Sequence, residues 1–292
     1  MDYLINADTL KSLRKAQKNE ITEYQVYLKI ASSTKDEQNK IILKQIARDE
    51  LRHHDELKRF TGKDCSPNIL KVYFYTFISR IFGITFAIKL MEKGEKNSEK
   101  LYRELAVKIG EFNRIAKEED KHEKELVGII EEERLKFIGS MVLGLNDALV
   151  ELTGTLAGFT FALQNTRLTA LTGIITGIAA SLSMAASEYL SARTEQDNTH
   201  ALKSSLYTGG AYILTVAFLV LPYLVFSNYV VSLVFTSLAA IFIILVFNFY
   251  ISVAKDLPFK KRFFEMAGIS LGVAVISFII GHLIREFLGV DI

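Results

Sequence analysis

The 292-residue chain has 35 Lys and Arg against 33 Asp and Glu, which gives a formal net charge of +2. This balance, without a basic stripe interleaved with aromatic residues, argues against a nucleic-acid partner. The single cysteine, Cys65, excludes an internal disulfide, and the first residues lack the basic flank and apolar core of a signal peptide. The averages conceal two halves, because residues 1–137 are dense in charged side chains and residues 138–292 are mostly apolar. We therefore expect a cytosolic N-terminal half and a membrane-embedded C-terminal half.

The N-terminal half contains an internal repeat, of which one part is a glutamate followed by a tyrosine. The segment EITEYQVYLKIA begins at Glu20, and the segment EKNSEKLYRELA begins at Glu95. Each places a tyrosine seven residues after the glutamate and an alanine four residues later, so that Tyr27 corresponds to Tyr102. We interpret both segments as helices of one bundle.

The other part of the repeat is a Glu-x-x-His motif. IARDELRHHDEL and IAKEEDKHEKEL both read Ile-Ala-basic-acidic-Glu-x-x-His-x-x-Glu-Leu. Glu50 and His53 in the first segment correspond to Glu119 and His122 in the second. Since residues three apart share one face of a helix, each motif presents a carboxylate and an imidazole in the same direction.

These four motifs have the composition of a metal site. A glutamate from each of two helices, with Glu-x-x-His from each of the other two, is the ligand set of di-iron and di-manganese carboxylate bundles. Oxygen and imidazole donors suit Fe or Mn, and the lack of thiolates argues against a structural zinc site.

In the order of these motifs the chain resembles the ferritin-like superfamily, specifically the rubrerythrin-type bundle, over about residues 8–133. The Cys-rich iron site of many rubrerythrins is absent. The resemblance implies a ferritin-like four-helix bundle over residues 1–133, with Tyr27 and Tyr102 near the metals. Because the interval between Glu95 and Glu119 is short, Glu92 and Glu99 are alternatives for the ligand at Glu95. By this resemblance two Fe or Mn ions would be held by Glu20, Glu50, His53, Glu95, Glu119 and His122.

Residues 69–91 are apolar and aromatic, but Lys71, Arg80 and Lys89 interrupt them. We predict no membrane span here. One interpretation is a third bundle helix with a long lead-in that packs on its neighbours. The other is a segment that lies against the membrane surface or a second subunit.

The C-terminal half contains five candidate membrane spans, each near the length of about 20 apolar residues that a bilayer requires. The connection between the fourth and fifth spans holds Lys255, Lys260, Lys261 and Arg262, and the opposite turns carry little charge. The connection between the second and third spans likewise holds Arg193 and Lys203. By the positive-inside rule these two basic connections and the N-terminal half are cytosolic, and the C-terminus is external. The predicted spans are 138–163, 168–192, 206–226, 229–253 and 264–286. Glycines four apart, which favour close helix packing in lipid, occur at Gly154/Gly158, Gly173/Gly177 and Gly268/Gly272.

Acidic residues lie inside two of these spans. Asp147 and Glu151 are four apart in the first span, and Met184 and Glu188 are four apart in the second. Charged groups in a bilayer are costly and usually face a cavity or a pathway. Carboxylates attract divalent cations and could also carry protons, while the thioether favours a transition metal. For Glu188 the alternative is a place near the interface, paired with Arg193.

Two segments around these acids, GLNDALVELTGTLAGF at 144–159 and SLSMAASEYLSARTEQD at 181–197, resemble the vacuolar iron transporter family. The resemblance covers about residues 138–292 of a membrane domain expected over 134–292, and it implies a homodimer that exports ferrous iron or manganese from the cytosol in exchange for protons. Asp147 and Met184 match the family's pathway positions, and Glu151 and Glu188 lie in the matching motifs. The connection at about 193–205 is too short for the metal-collecting domain of eukaryotic members, so the N-terminal bundle would take that role.

The predicted protein is therefore all-α: a ferritin-like bundle followed by a five-helix transmembrane domain, similar to the membrane-bound ferritin branch. We expect a multi-pass cell membrane transporter whose partners are metal ions, protons and the lipid bilayer. The alternatives are a membrane-anchored di-iron ferroxidase or peroxidase, and a metal sensor without flux. Anchoring needs one span and no intramembrane acid, so five spans and Asp147 favour transport.

Overall fold

A computed structural model describes residues 7–94, 96–107, 109–128, 137–195 and 198–288. All the regular elements among these residues are α-helices, which confirms the predicted all-α class. The chain divides into two compact units, Met1–Glu132 and Glu133–Ile292. This division lies one residue before the boundary expected from the sequence.

The first unit has six helices among its described residues: α1 (Ala7–Ser33), α2 (Glu37–Thr61), α3 (Ile69–Phe82), α4 (Ile84–Lys93), α5 (Lys96–Ala106) and α6 (Glu111–Gly128). The aromatic segment 69–91 is thus divided between α3 and α4. The division falls at Gly83, whose φ of 97° belongs to a region that residues with a Cβ rarely adopt. Asn68 caps the start of α3, because its side chain accepts a hydrogen bond from the Lys71 N–H.

Two clusters of buried apolar side chains hold this unit together. The first cluster draws on α1, α2, α3, α4 and α6, and the second on α1, α2, α5 and α6. Three helices, α3, α4 and α5, thus lie between α2 and α6 in the described chain, where the predicted four-helix bundle has one. The first cluster is Val26, Tyr27, Ile30, Ala31, Leu43, Ile46, Ala47, Val72, Ala87, Ile88, Met91 and Leu126; the second is Leu13, Ala16, Leu57, Tyr102, Leu105, Phe112 and Ile115.

The second unit has five helices among its described residues: α7 (Ile138–Leu163), α8 (Thr166–Glu195), α9 (Asn198–Val225), α10 (Tyr229–Ala254) and α11 (Phe259–Leu288). By length and composition four of them can cross a membrane: Thr166–Thr194, His200–Val225, Tyr229–Ala254 and Phe259–Phe287. These correspond to the second to fifth predicted spans. The apolar sequence of α7 is broken by Asn146, Asp147 and Glu151, so the predicted first span stays a prediction.

α7 is the central helix of this unit, since it contacts each of the other four. Glycines permit the closest approaches. A Cβ at Gly144 would lie 2.3 Å from the backbone oxygen of Thr208 on α9, and one at Gly281 on α11 would lie 2.3 Å from that of Gly158. The pair Gly154/Gly158 faces α11 and the pair Gly173/Gly177 faces α7 and α9, whereas a Cβ at Gly268 or Gly272 would meet nothing within 4 Å.

Candidate metal centre and intramembrane acidic residues

The ligands predicted in the first unit converge between its two apolar clusters. Among the described residues, one group of His, Cys, Asp and Glu side chains has ligand atoms close enough for a metal ion: Glu20, Glu50, His53 and Glu119, all within 4.8 Å of one another. On α1, α2 and α6 these residues are flanked by members of both clusters: Glu20 by Ala16 and Val26, Glu50 and His53 by Ala47 and Leu57, and Glu119 and His122 by Ile115 and Leu126.

The two imidazoles face the same carboxylates. His53 Nδ1 lies 2.9 Å from Glu119 Oε1, 3.4 Å from Glu50 Oε2 and 3.7 Å from Glu20 Oε2. His122 Nδ1 lies 3.2 Å from Glu50 Oε1 and 3.7 Å from Glu119 Oε2. Glu50 and Glu119 therefore lie between the two histidines, whose ring centroids are 5.9 Å apart.

The donor atoms of this centre fit a cation. They are buried and none has a hydrogen-bond partner. Several of them lie within 3.5 Å of one another, but not at an angle that makes a hydrogen bond. Buried polar atoms in folded proteins nearly always have a partner. Carboxylate oxygens and imidazole nitrogens that converge without hydrogen bonds are what a bound transition-metal ion requires. The atoms are Glu20 Oε2, Glu50 Oε2, His53 Nδ1, Glu119 Oε1 and His122 Nδ1.

The outer nitrogen of each histidine is held by an acidic residue of the opposite helix. His53 Nε2 lies 2.8 Å from Glu118 Oε2, and His122 Nε2 lies 3.2 Å from Asp49 Oδ2. Such outer contacts direct the other ring nitrogen toward a metal. Asp49 and Glu118 occupy the same place in the repeat, immediately before its glutamates. The sequence analysis did not assign them a role, although the acidic residue before each Glu-x-x-His was the available signal.

A guanidinium group closes this arrangement on its outer side. Arg52 Nη2 lies 2.8 Å from Asp49 Oδ1 and 3.0 Å from Glu118 Oε2. It therefore contacts both acids that hold the histidines. Arg114 adds ion pairs with Glu56 and Glu118.

The carboxylates and imidazoles alter one another's protonation. Burial raises the pKa of Glu20 well above its usual value. Burial opposes a positive charge on His122, but Glu119 and Glu50 outweigh it and raise its pKa to about 10. Burial likewise opposes a charge on His53, and Glu119, Glu20 and Glu50 raise its pKa well above the ordinary value. Without a metal, protonated histidines thus compensate the buried carboxylates.

The remaining predicted residues of the first unit have different positions. The Tyr102 hydroxyl on α5 donates a hydrogen bond to Glu20 Oε1. Tyr27 is buried in the first apolar cluster. Glu95 lies outside the described residues, as does the side chain of Glu99, and Glu92 is half-buried on α4. The assignment of a ligand from the third bundle position therefore stays a prediction.

In the second unit Glu188 connects three helices. Its Oε1 accepts a hydrogen bond of 2.8 Å from Ser140 on α7 and another from Ser204 on α9. The Thr208 hydroxyl, one turn further along α9, donates to the backbone oxygen of Ser140 at 3.0 Å. The partners of Glu188 are thus hydroxyls of α7 and α9, which the sequence analysis did not identify because they lie 48 and 16 residues away.

Glu151 has a separate partner on the same face of α9. The Tyr212 hydroxyl donates a hydrogen bond of 2.6 Å to Glu151 Oε2. Asp147 is half-buried one turn earlier on α7. Ser204, Thr208 and Tyr212 are four residues apart and form a polar row along α9, which contacts Ser140 and Glu151 of α7.

Met184 lies one turn before Glu188 on α8 and packs against the central apolar cluster of this unit, which includes residues of α7 and α9. The predicted pathway residues therefore lie on or beside the contact of α7, α8 and α9. They do not form a single group of ligand-forming side chains like that of the first unit, as far as the described residues extend.

Residues 138–203 match the family model described as the VIT family. The match spans α7, α8 and the start of α9 and contains Asp147, Glu151, Met184 and Glu188. It supports a membrane domain of the vacuolar iron transporter type and indicates a membrane metal transporter. Neither the curated proteins nor the solved structures gave a match.

Proposed function

We propose that the chain exports a divalent transition-metal ion, Fe²⁺ or Mn²⁺, from the cytosol by proton antiport, as a homodimer in the cell membrane. The observation that carries this proposal is the family match over the helices that contain Asp147, Glu151 and Glu188. The first unit, in the cytosol, binds two ions and collects or senses the metal.

The intramembrane acids support transport because their presence in apolar helices is costly. A charged side chain at the centre of a span is unfavourable by at least about 2.5 kcal/mol, and such residues usually line an ion or proton route. Glu188 is held by two hydroxyl groups and Glu151 by one phenol, so both carboxylates are oriented by neighbouring helices. Together with Asp147 and the Met184 thioether they offer donors that suit a transition metal.

The distribution of basic residues supports the proposed orientation. Lys255, Lys260, Lys261 and Arg262 lie around the connection between α10 and α11. An excess of Lys and Arg marks cytosolic loops. With α7 as a first span, the N-terminal unit is on the same side as this connection and the C-terminus is external.

The first unit supports a resident di-metal centre. Glu20 and His53 would hold one ion and His122 the other, and Glu50 and Glu119 are placed to contact both. Bound iron would supply a one-electron redox couple. The chain itself orients both histidines through Asp49 and Glu118 and excludes water by burial of Glu20, Glu50 and His53.

A membrane-anchored ferroxidase is the second candidate, and the buried carboxylate centre with Tyr102 on Glu20 is the observation that favours it. The two functions differ in where the metal goes. A transporter moves metal across a bilayer, and flux depends on Asp147. A ferroxidase consumes ferrous iron without flux, and its activity depends on His53 and His122.

Reconstitution into vesicles with an internal metal-sensitive dye and an internal pH dye tests the proposal. We expect metal entry with opposite proton movement for the unaltered chain and for the control Glu104→Gln, whose side chain lies outside the spans and is 63% exposed. Asp147→Asn should abolish both signals and retain the metal content of the first unit, which should be about two ions per chain. Normal flux in Asp147→Asn would refute the pathway. The double variant His53→Ala/His122→Ala should lose the metal bound by the first unit, which distinguishes metal binding at that centre from transport along the pathway.

A further inference from the structure

The outward face of α3 is apolar. Leu70, Tyr73, Phe74 and Phe77 are 83%, 62%, 51% and 60% exposed. Their spacing of three, four and seven residues places them on one side of the helix. On the opposite side Val72 is buried in the first apolar cluster. α3 therefore packs on its unit through one face and presents large apolar side chains on the other.

This arrangement is the reverse of that expected for a surface helix of a water-soluble unit, whose outer face is polar. Single exposed apolar residues are common, but a contiguous patch with several aromatic side chains marks an interaction surface. Aromatic and aliphatic residues on one face, with basic residues at its edges, are typical of helices that lie in a membrane interface.

The charges around this face favour an anionic surface. No acidic residue occurs between Asp64 and Glu92 in the sequence. Lys71 and Arg80 are exposed on α3 at opposite edges of the apolar face. Lys29 of α1 places its Nζ 4.3 Å from the centre of the Tyr73 ring, which adds a third basic group at one edge. Such groups are attracted to anionic lipid headgroups.

α3 shares an apolar cluster with the end of α6, the last described helix of the first unit. Leu126, near the end of α6 at Gly128, belongs to the same apolar cluster as Val72 of α3. Further along the chain, α8 to α11 are long and apolar enough to cross a bilayer. This covalent connection keeps the bilayer at a high effective concentration near α3.

We propose that the outward face of α3 docks on the surface of the bilayer that holds the second unit. Leu70, Phe74 and Phe77 insert at the level of the headgroups, and Lys71, Arg80 and Lys29 contact anionic lipid. The proposal does not depend on metal transport, because it rests on the exposed face of α3 and on the apolar helices that follow.

The chain has no tryptophan, so a single introduced tryptophan reports its own surroundings. The test uses the full-length Phe77→Trp chain in vesicles of phosphatidylcholine and phosphatidylglycerol with brominated acyl chains. The matched control is Val107→Trp, which follows Ala106 beside the second apolar cluster and is 87% exposed in the native chain. Both substitutions replace an exposed apolar residue, so folding should be retained.

We expect the emission of Phe77→Trp to be shifted to the blue and quenched at least twofold by the brominated lipid, while Val107→Trp is unaffected. Quenching should decrease when phosphatidylcholine replaces phosphatidylglycerol. Equal quenching in both variants, or none in Phe77→Trp, would overturn the proposal. A blue shift without quenching would also overturn it, because the introduced tryptophan would then be buried against protein and not in lipid.

Discussion

His53 on α2 and Glu118 on α6 are joined through the outer nitrogen of the imidazole, which lies 2.8 Å from the carboxylate. The contact crosses between the two helices that carry the Glu-x-x-His motifs. It leaves Nδ1 of His53 directed at Glu20, Glu50 and Glu119. We therefore expect Glu118 to be a positioning residue for the proposed metal centre.

Removing this contact should weaken metal binding without removing a ligand. We expect Glu118→Ala to lower the metal affinity of the full chain by about 10- to 100-fold, as measured by competition with a chelating dye. The number of ions bound at saturation should stay the same, and Glu118→Gln should lose less affinity because an amide oxygen can still accept the hydrogen bond. Glu104→Ala, an exposed acid on α5, is the control. An unchanged affinity in Glu118→Ala would contradict the positioning role.

The stability of the metal-free centre should depend on pH through His122. Its pKa in the folded chain is about 10, above the ordinary value of 6.5, because Glu119 and Glu50 outweigh burial. A raised pKa contributes stability that is complete below about 6.5 and is lost as pH rises through about 10. We expect the unfolding temperature of the metal-free chain to decrease as the pH rises from about 6.5 to about 10. His122→Gln should flatten the profile, and an equally steep fall in that variant would contradict the assignment.

The contact between α7 and α9 at Gly144 should not tolerate a side chain. A Cβ there would lie 2.3 Å from the backbone oxygen of Thr208, which cannot move without displacing α9. We expect Gly144→Ala to destabilise the membrane unit by about 1–3 kcal/mol, seen as a lower unfolding temperature in detergent. Gly210→Ala on α9 is the control, because its Cβ would meet no atom within 4 Å. Equal unfolding temperatures would show that the helices do not pack this closely.

The thioether of Met184 should affect the choice of metal more than folding. Met184→Leu keeps an apolar side chain of similar size and removes the sulfur, which is a soft ligand. We expect a severalfold lower Fe²⁺ flux in vesicles with little change in the unfolding temperature. Met266→Leu, which alters a buried methionine of the same apolar cluster, should leave flux unchanged. Equal flux in the two variants would remove Met184 from the pathway.

The orientation of the chain can be measured with a reporter that is active only outside the cytosol. We expect activity when it follows Ile292 and none when it precedes Met1, because the basic residues between α10 and α11 should be cytosolic. Activity at neither end would indicate an even number of spans, with α7 outside the bilayer.

The sequence by itself determined the features that depend on spacing within one helix. The repeat indicated that Glu50 and His53 share a face, as do Glu119 and His122, and the length and composition of the apolar runs indicated α8 to α11 as candidate membrane helices. These predictions succeed because helical periodicity and the length of apolar runs are local properties of the chain.

Only the tertiary structure decided which residues of different helices meet. It joined His53 to Glu118 across 65 residues and Glu188 to Ser140 across 48. It also divided the segment 69–91 at Gly83 and left one face of α3 exposed. Such contacts depend on how helix surfaces distant in sequence fit together. A local sequence pattern does not indicate which face of a helix packs against another helix. The sequence therefore left open whether segment 69–91 is a bundle helix or lies against the membrane surface or a second subunit.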